Sequence, residues 1–253
     1  MRKVAALASA LVVVLVVVAV AFAQQQNQYS VTAGVTPPAK GSKAKPVAVA
    51  VKFNYSVTEA TGKKPAPVKG YKIAFTGLTT NGAFFPTCSS SKISGAGNND
   101  SGCPKKALVG TGTLDSFVYQ TSDPSGAGGF PCPKKIDLWN AGKNKMVIFL
   151  FGDPAQCGGV GALPPIDAKF VTSASGQALQ FDVPPTVLHP VAGLSVAVNS
   201  VQSTVKKLTA KKKGKKRGYF EAIGCPGGKR KVTVTFTPET GSPGTANASQ
   251  ACK

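Results

Sequence analysis

Apolar and polar residues alternate along VAVAVKFNYSV. Val47, Val49, Val51, Phe53, Tyr55 and Val57 fall on one face, and Lys52, Asn54 and Ser56 on the other. A period of two sustained over this length predicts a β-strand with one buried face. VKGYKIAFTGL repeats the pattern with Tyr71, Ile73 and Phe75. The same reading predicts strands at Leu108–Tyr119, Ile136–Trp139, Met146–Phe151, Ile166–Thr172, Leu179–Val183, Leu194–Val205, Tyr219–Ile223 and Val232–Thr237. Apolar stripes with a helical period are hard to find. TGKKPAP, SDPSGAGGF and GDPAQCGG carry turn chemistry. NGAFFPTCSS and SGAGNNDSG read as loops, and VPPTVLHP reads as an irregular crossover. The predicted class is all-β: a single β-sandwich or jelly roll of about ten strands, stapled by disulfides. Two smaller sandwiches joined near Ser122–Gly129 are the alternative. That linker is short and each side has few strands, so one domain is favoured.

The N-terminus changes the picture of where this domain works. Arg2 and Lys3 precede an apolar run from Val4 to Phe22, and Ala21, Phe22 and Ala23 fit a signal-peptidase site. Cleavage after Ala23 is favoured over a retained anchor, and the exported chain is expected to begin at Gln24. The organisation expected is a signal peptide at 1–23, a flexible polar lead-in at 24–45, to which Tyr29–Val35 could add an edge strand, and a β-sandwich domain at 46–253. No later segment has the apolar length of a span; KMVIFLFG is too short and reads as a buried strand.

Export gives the six cysteines a meaning. Cys88, Cys103, Cys132, Cys157, Cys225 and Cys252 are even in number, and an oxidising compartment favours disulfides. Zinc and redox sites want closely spaced pairs such as C-x2-C, which are absent, so no metal or cofactor is expected. The simplest pairing is sequential: Cys88–Cys103, Cys132–Cys157 and Cys225–Cys252. Each would close a local loop worth roughly 3 kcal/mol in the chain-entropy view. Proline follows a cysteine in CPKK at Cys103 and Cys132 and in CPGGKRK at Cys225. It suits the first position of a strand, so each cysteine is read as pinning a strand start, with the lysines solvated at its mouth or, as an alternative, lining an anion site.

The stretches NGAFFPTCS, CPKKALVGTGT, GYFEAIGCPGG with VTVTFT, and the final ACK are together similar to a group of secreted proteins of soil actinobacteria. The resemblance covers most of the exported chain and rests on structural motifs. It implies a secreted, disulfide-bonded β fold and carries no activity or functional residue across.

Catalytic chemistry finds little footing. His189 is the single histidine, and a Ser-His-Asp triad would have to use it, yet no G-x-S-x-G elbow is present. Asp115, Asp137, Asp153, Asp167, Asp182 and Glu221 are scattered, without the clustered carboxylates of sandwich glycosidases. VGTGT lacks the G-K-[ST] of a phosphate loop and reads as close backbone packing. The remaining signal is charge. Thirty Lys and Arg stand against ten Asp and Glu, a formal net charge of +20. KKLTAKKKGKKRGYF concentrates Lys206, Lys207, Lys211, Lys212, Lys213, Lys215, Lys216 and Arg217 in what reads as a hairpin tip. The expectation is therefore a secreted, non-catalytic protein associating with the cell envelope or extracellular matrix. Its partner would be an anionic polymer: a cell-wall phosphate polymer, an acidic glycan or extracellular DNA. Lysine outnumbers arginine, which suits diffuse attraction and not base-specific recognition. The alternative is a carbohydrate-active enzyme with a cleft assembled from distant residues.

Overall fold

The computed structural model describes residues 25–173 and 176–253; the signal peptide expected at 1–23 and the start at Gln24 lie outside them. The described residues form sixteen strands. They are β1 (Asn27–Thr36), β2 (Val47–Glu59), β3 (Val68–Thr76), β4 (Leu78–Thr80), β5 (Leu108–Gln120), β6 (Phe130–Pro131), β7 (Lys134–Asn140) and β8 (Lys145–Phe151). Then follow β9 (Ile166–Ser173), β10 (Gly176–Asp182), β11 (Leu194–Val205), β12 (Thr209–Lys212), β13 (Lys215–Gly218), β14 (Phe220–Ala222), β15 (Lys229–Pro238) and β16 (Gly244–Ala251). Two short helices are α1 (Ser90–Gly95) and α2 (Pro185–Leu188). The all-β class and the sequential disulfides hold. In place of about ten strands in a sandwich, there is one 14-stranded sheet and a separate two-stranded hairpin.

That sheet curls until its edges meet. Its order runs β16-β15-β3-β10-β9-β8-β7-β5-β11-β2, with β1 on the other side of β2, every neighbouring pair being antiparallel. Counting β1, the number of strands is odd, so a ring can close only through one parallel junction, and β1 meets β16 in that way. Tyr29 lies against Gly244, while further along both strands the Gln250 side chain accepts from Val35 N (2.7 Å) and donates to Val35 O (3.1 Å). Beyond the strands, Lys253 N donates to Pro38 O (2.7 Å) and Lys40 N to Lys253 O (3.3 Å). Much of the segment expected to be a flexible polar lead-in is therefore a barrel strand. The sequence GTANASQA of β16 holds no large apolar residue, which lets β1 approach closely: a Cβ on Gly244 would sit 2.4 Å from the Tyr29 ring.

Period two then sorts the residues. Val51, Phe53, Tyr55, Ile73, Phe75, Ile136, Leu138 and Val201 point inward and are buried. Lys52, Lys72, Thr111, Thr113, Asp167, Lys169 and Gln180 point outward and are exposed, the reverse of a barrel that faces lipid. In VGTGT, a Cβ on Gly112 would lie 2.3 Å from Gln202 O, so glycine there allows the close approach of β5 to β11. The Ser122–Gly129 stretch is a turn leading from β5 to β6, and both strands belong to the one sheet.

The ends of the ring differ. The β4 and β14 strands and the ring of Phe220 close one end, with Phe220 packed edge-on against Phe75 and Phe170. The other end is the mouth, rimmed by the β2–β3, β5–β6, β8–β9, β10–β11 and β15–β16 connections. The Cys132–Cys157 disulfide ties two parts of this rim together. Cys88–Cys103 holds the loop bearing α1 over Trp139, Val147 and Phe149, the outward apolar face of β7 and β8. The helix α1 overlaps the loops expected at NGAFFPTCSS and SGAGNNDSG; it forms because Ser89 caps it, accepting from Lys92 N, and Ile93 is fully buried. A single anchor on one turn leaves no periodic trace in the sequence. Cys225–Cys252 fastens the start of β15 to the end of β16.

Candidate functional site

An 11-fold register of inward side chains does not fill the ring: barrels of roughly eight strands are just filled by their own side chains, and wider ones leave room. Here a cavity of about 160 Å³ lies inside. Phe75, Met146, Val205 and Phe220 line its deep end, and Phe130, Pro190, Val191 and Leu194 its mouth. Val191, 45 % exposed, is the exposed large hydrophobic residue among those described. Polar groups on the wall are mostly occupied with each other or the backbone. Tyr55 Oη donates to Tyr71 Oη (3.0 Å), Ser116 Oγ to Cys132 O (2.6 Å) and Ser203 Oγ to Phe53 O (3.0 Å).

One wall residue is charged. Lys134, the first lysine of the second CPKK, was expected to be solvated with its neighbours. Lys105, Lys106 and Lys135 are exposed, but Lys134 is only 4 % exposed. The cause is register: Lys134 shares the inward face of β7 with Ile136 and Leu138. Its ammonium donates to Val160 O (2.5 Å) and Gly161 O (3.0 Å) in the β8–β9 connection. Burial pushes its pKa down. The signal was present in the alternation K-x-I-x-L and was masked by the repeated CPKK, which invited one reading for both copies.

The basic segment forms the hairpin expected of it. β11 and β14 pair in turn along the same side of β2, Val205 opposite Val51 and Phe220 opposite Val49, so the intervening β12–β13 hairpin is an excursion from the sheet at the closed end. Its two-residue turn, Lys213 (φ 50°) and Gly214 (φ 75°), has the positive φ at both positions that suits a right-handed hairpin twist. Lys206, Lys207, Lys211, Lys212, Lys213, Lys215 and Lys216 are exposed and Arg217 is half-buried. Lys211 stands opposite Lys216 and Lys212 opposite Lys215. Like charges facing each other across a ladder are destabilising. The offsets are modest: Lys212 Nζ donates to Ala83 O (3.1 Å), and Arg217 lies 3.9 Å from the buried Glu221.

Two further clusters were invisible in sequence. His189 Nε2 lies 2.9 Å from Glu239 Oε2, its Nδ1 is 3.1 Å from Leu194 O and 3.3 Å from Ser195 Oγ, and Ser195 Oγ is 2.8 Å from Thr121 Oγ1. Serine, histidine and glutamate thus line up, yet Ser195 is 2 % exposed, and an Nδ1 facing a carbonyl oxygen donates to it and does not take a serine proton. The cluster clasps the β10–β11 crossover to the β15–β16 turn across the mouth. On the outer face, Asp100 and Asp137 come together beside Trp139, whose Nε1 donates to Asp100 Oδ2 (3.1 Å). Burial first, then the hydrogen-bonded Asp100 carboxyl, pushes Asp137 up to about 6. Neither carboxyl borders the cavity. Among the described residues no group of three or more His, Cys, Asp and Glu gathers as a metal site would require, and no helix is long and apolar enough to cross a membrane. Comparison with protein families, curated proteins and solved structures finds no match.

Proposed function

We propose that this chain is an exported, non-catalytic binding protein that holds an apolar molecule inside its barrel. The observation carrying this reading is the 160 Å³ apolar cavity reached from the mouth. A cavity of about 150 Å³ lined by aliphatic and aromatic side chains stays dry and accepts benzene. Left empty, a void of this size would cost on the order of 4 kcal/mol at roughly 24 cal/mol per Å³, so a ligand that fills it recovers stabilisation as well as burying its own surface. Titration with the neutral fluorophore N-phenyl-1-naphthylamine tests the reading. Saturable one-to-one binding, lost in a well-folded Val198→Trp variant that fills the lumen, is expected. Absence of saturable binding, or binding indifferent to the filled lumen, contradicts it.

The facing lysine pairs of the β12–β13 hairpin favour a second, compatible reading. The protein associates with the cell envelope or matrix by docking this hairpin on an anionic polymer, whose charge relieves the Lys211–Lys216 and Lys212–Lys215 repulsion. The hairpin lies at the closed end, so a docked barrel would turn its mouth outward. Replacing Lys211, Lys212, Lys213, Lys215, Lys216 and Arg217 by Gln should flatten the salt dependence of attachment to teichoic acid, polyuronate or DNA. An unchanged slope reduces the hairpin to a solubilising loop. The carbohydrate-active alternative lacks a pair of carboxylates facing each other across the cavity, and has less in its favour.

A further inference from the structure

Resting on the reading of the barrel as an apolar-ligand site, we propose that its ligand is a single-chain carboxylic acid, bound tail-first with its carboxylate on Lys134. The cavity is long: its wall follows β11 from Leu194 at the mouth to Val205 at the closed end. A volume of about 160 Å³ along that length suits one extended acyl chain and leaves no room for a two-chain lipid. Lys134 stands towards the mouth, because the two carbonyls that it grips belong to the rim connection between β8 and β9. A chain inserted as far as Met146 and Phe220 would leave its head beside this ammonium.

The charge argument is independent of the shape. Among the described residues, Lys134 is the sole charged side chain on the wall. Neither ion pair among the described residues includes it. An ammonium has three donors, and protein carbonyls take two of them. A buried cation without a counter-charge is expensive to keep, and a carboxylate arriving at the third donor supplies both the charge and the hydrogen bond. An alcohol of equal length supplies a hydrogen bond alone, and a quaternary ammonium supplies neither. Lys134 would then select the head while the aliphatic wall accepts the tail. A purely structural role, clasping the rim, makes the opposite prediction: removing the amine would affect every ligand alike.

The experiment is displacement of N-phenyl-1-naphthylamine from the purified chain by dodecanoate, dodecanol and dodecyltrimethylammonium, at one pH and ionic strength. The wild-type protein should prefer dodecanoate over dodecanol by about tenfold or more, as a charge-assisted hydrogen bond in a buried site predicts, and should take the cation worst. Lys134→Met should bind dodecanol within a few-fold of wild type and lose the preference for the acid; Lys134→Arg should keep it. Binding of the neutral probe and the alcohol without preference for the acid in wild type overturns the inference and leaves the barrel reading standing. Failure of all ligands to bind wild type removes both. An equal loss of acid and alcohol in a folded Lys134→Met protein assigns Lys134 to the rim alone and also overturns the inference. The wild-type comparison decides even if the variants fail to fold.

Discussion

Replacing Gln250 by Leu should open the ring at its one parallel seam. The Gln250 amide accepts from Val35 N (2.7 Å) and donates to Val35 O (3.1 Å), so one side chain satisfies both backbone groups of a residue that is 3 % exposed. Leucine fills similar space but can satisfy neither. Leaving a buried polar group unpaired costs about 1–3 kcal/mol. Two such groups, with water able to reach the half-buried seam in part, put the loss at roughly 2–4 kcal/mol. For a domain of this size that corresponds to a fall in Tm of about 5–12 °C. Urea unfolding should show a lower midpoint at unchanged slope, and hydrogen exchange should show the Val35 amide losing protection before those of β7 and β8. Gln250→Glu, which still accepts but no longer donates, should fall between. A loss below about 0.5 kcal/mol, the range of ordinary surface changes, would mean that β1 and β16 merely lie side by side and that the closed ring is not what stabilises the molecule.

Other outcomes follow from the same geometry. Asp137 has its folded-state pKa raised from 3.8 to about 6, so the folded chain binds the extra proton and stability should fall as pH rises from about 4 to about 6. Asp137→Asn should remove that fall and exceed wild type in stability at pH 7; a steeper decline in the variant would contradict the assignment. Replacing Cys132 and Cys157 together by Ala should cost about 2–4 kcal/mol and, because this bridge borders the mouth, speed ligand release in stopped-flow displacement. Unaltered release would place the gate elsewhere on the rim.

The alternation of β2 and the span of β11 were legible because each buries one whole face, and hydrophobic period survives any tertiary arrangement that does so. The sequential disulfides, the simplest of the possible pairings, hold. The ring was not legible, since its seam joins the two ends of the chain through a glutamine side chain and small residues: Gly244, Ala246 and Ala248 are chosen for closeness, not for apolar bulk, and leave no strand signature. The cavity was hidden for a related reason. Each inward residue reads as core, and whether the cores of facing strands meet or leave a gap depends on strand number and closure. Lys134 lay in plain view on the face of Ile136 and Leu138, but an expectation that both CPKK copies are solvated passed over it. The basic hairpin was legible as charge and turn chemistry alone. The His189–Glu239 and Asp100–Asp137 contacts needed the fold, because chain-distant residues carry no mutual mark.

The most direct test uses Met146 at the deep end of the cavity, one of the two methionines of the sequence. In protein labelled with ¹³C at methionine methyls, Met146 is the reporter, its resonance identified by its loss in Met146→Leu. Titration with dodecanoate should shift its resonance in a saturable manner and give nuclear Overhauser contacts between the Met146 methyl and the terminal methyl of the chain. A resonance that stays in place while dodecanoate binds would put the ligand outside the barrel and contradict the account.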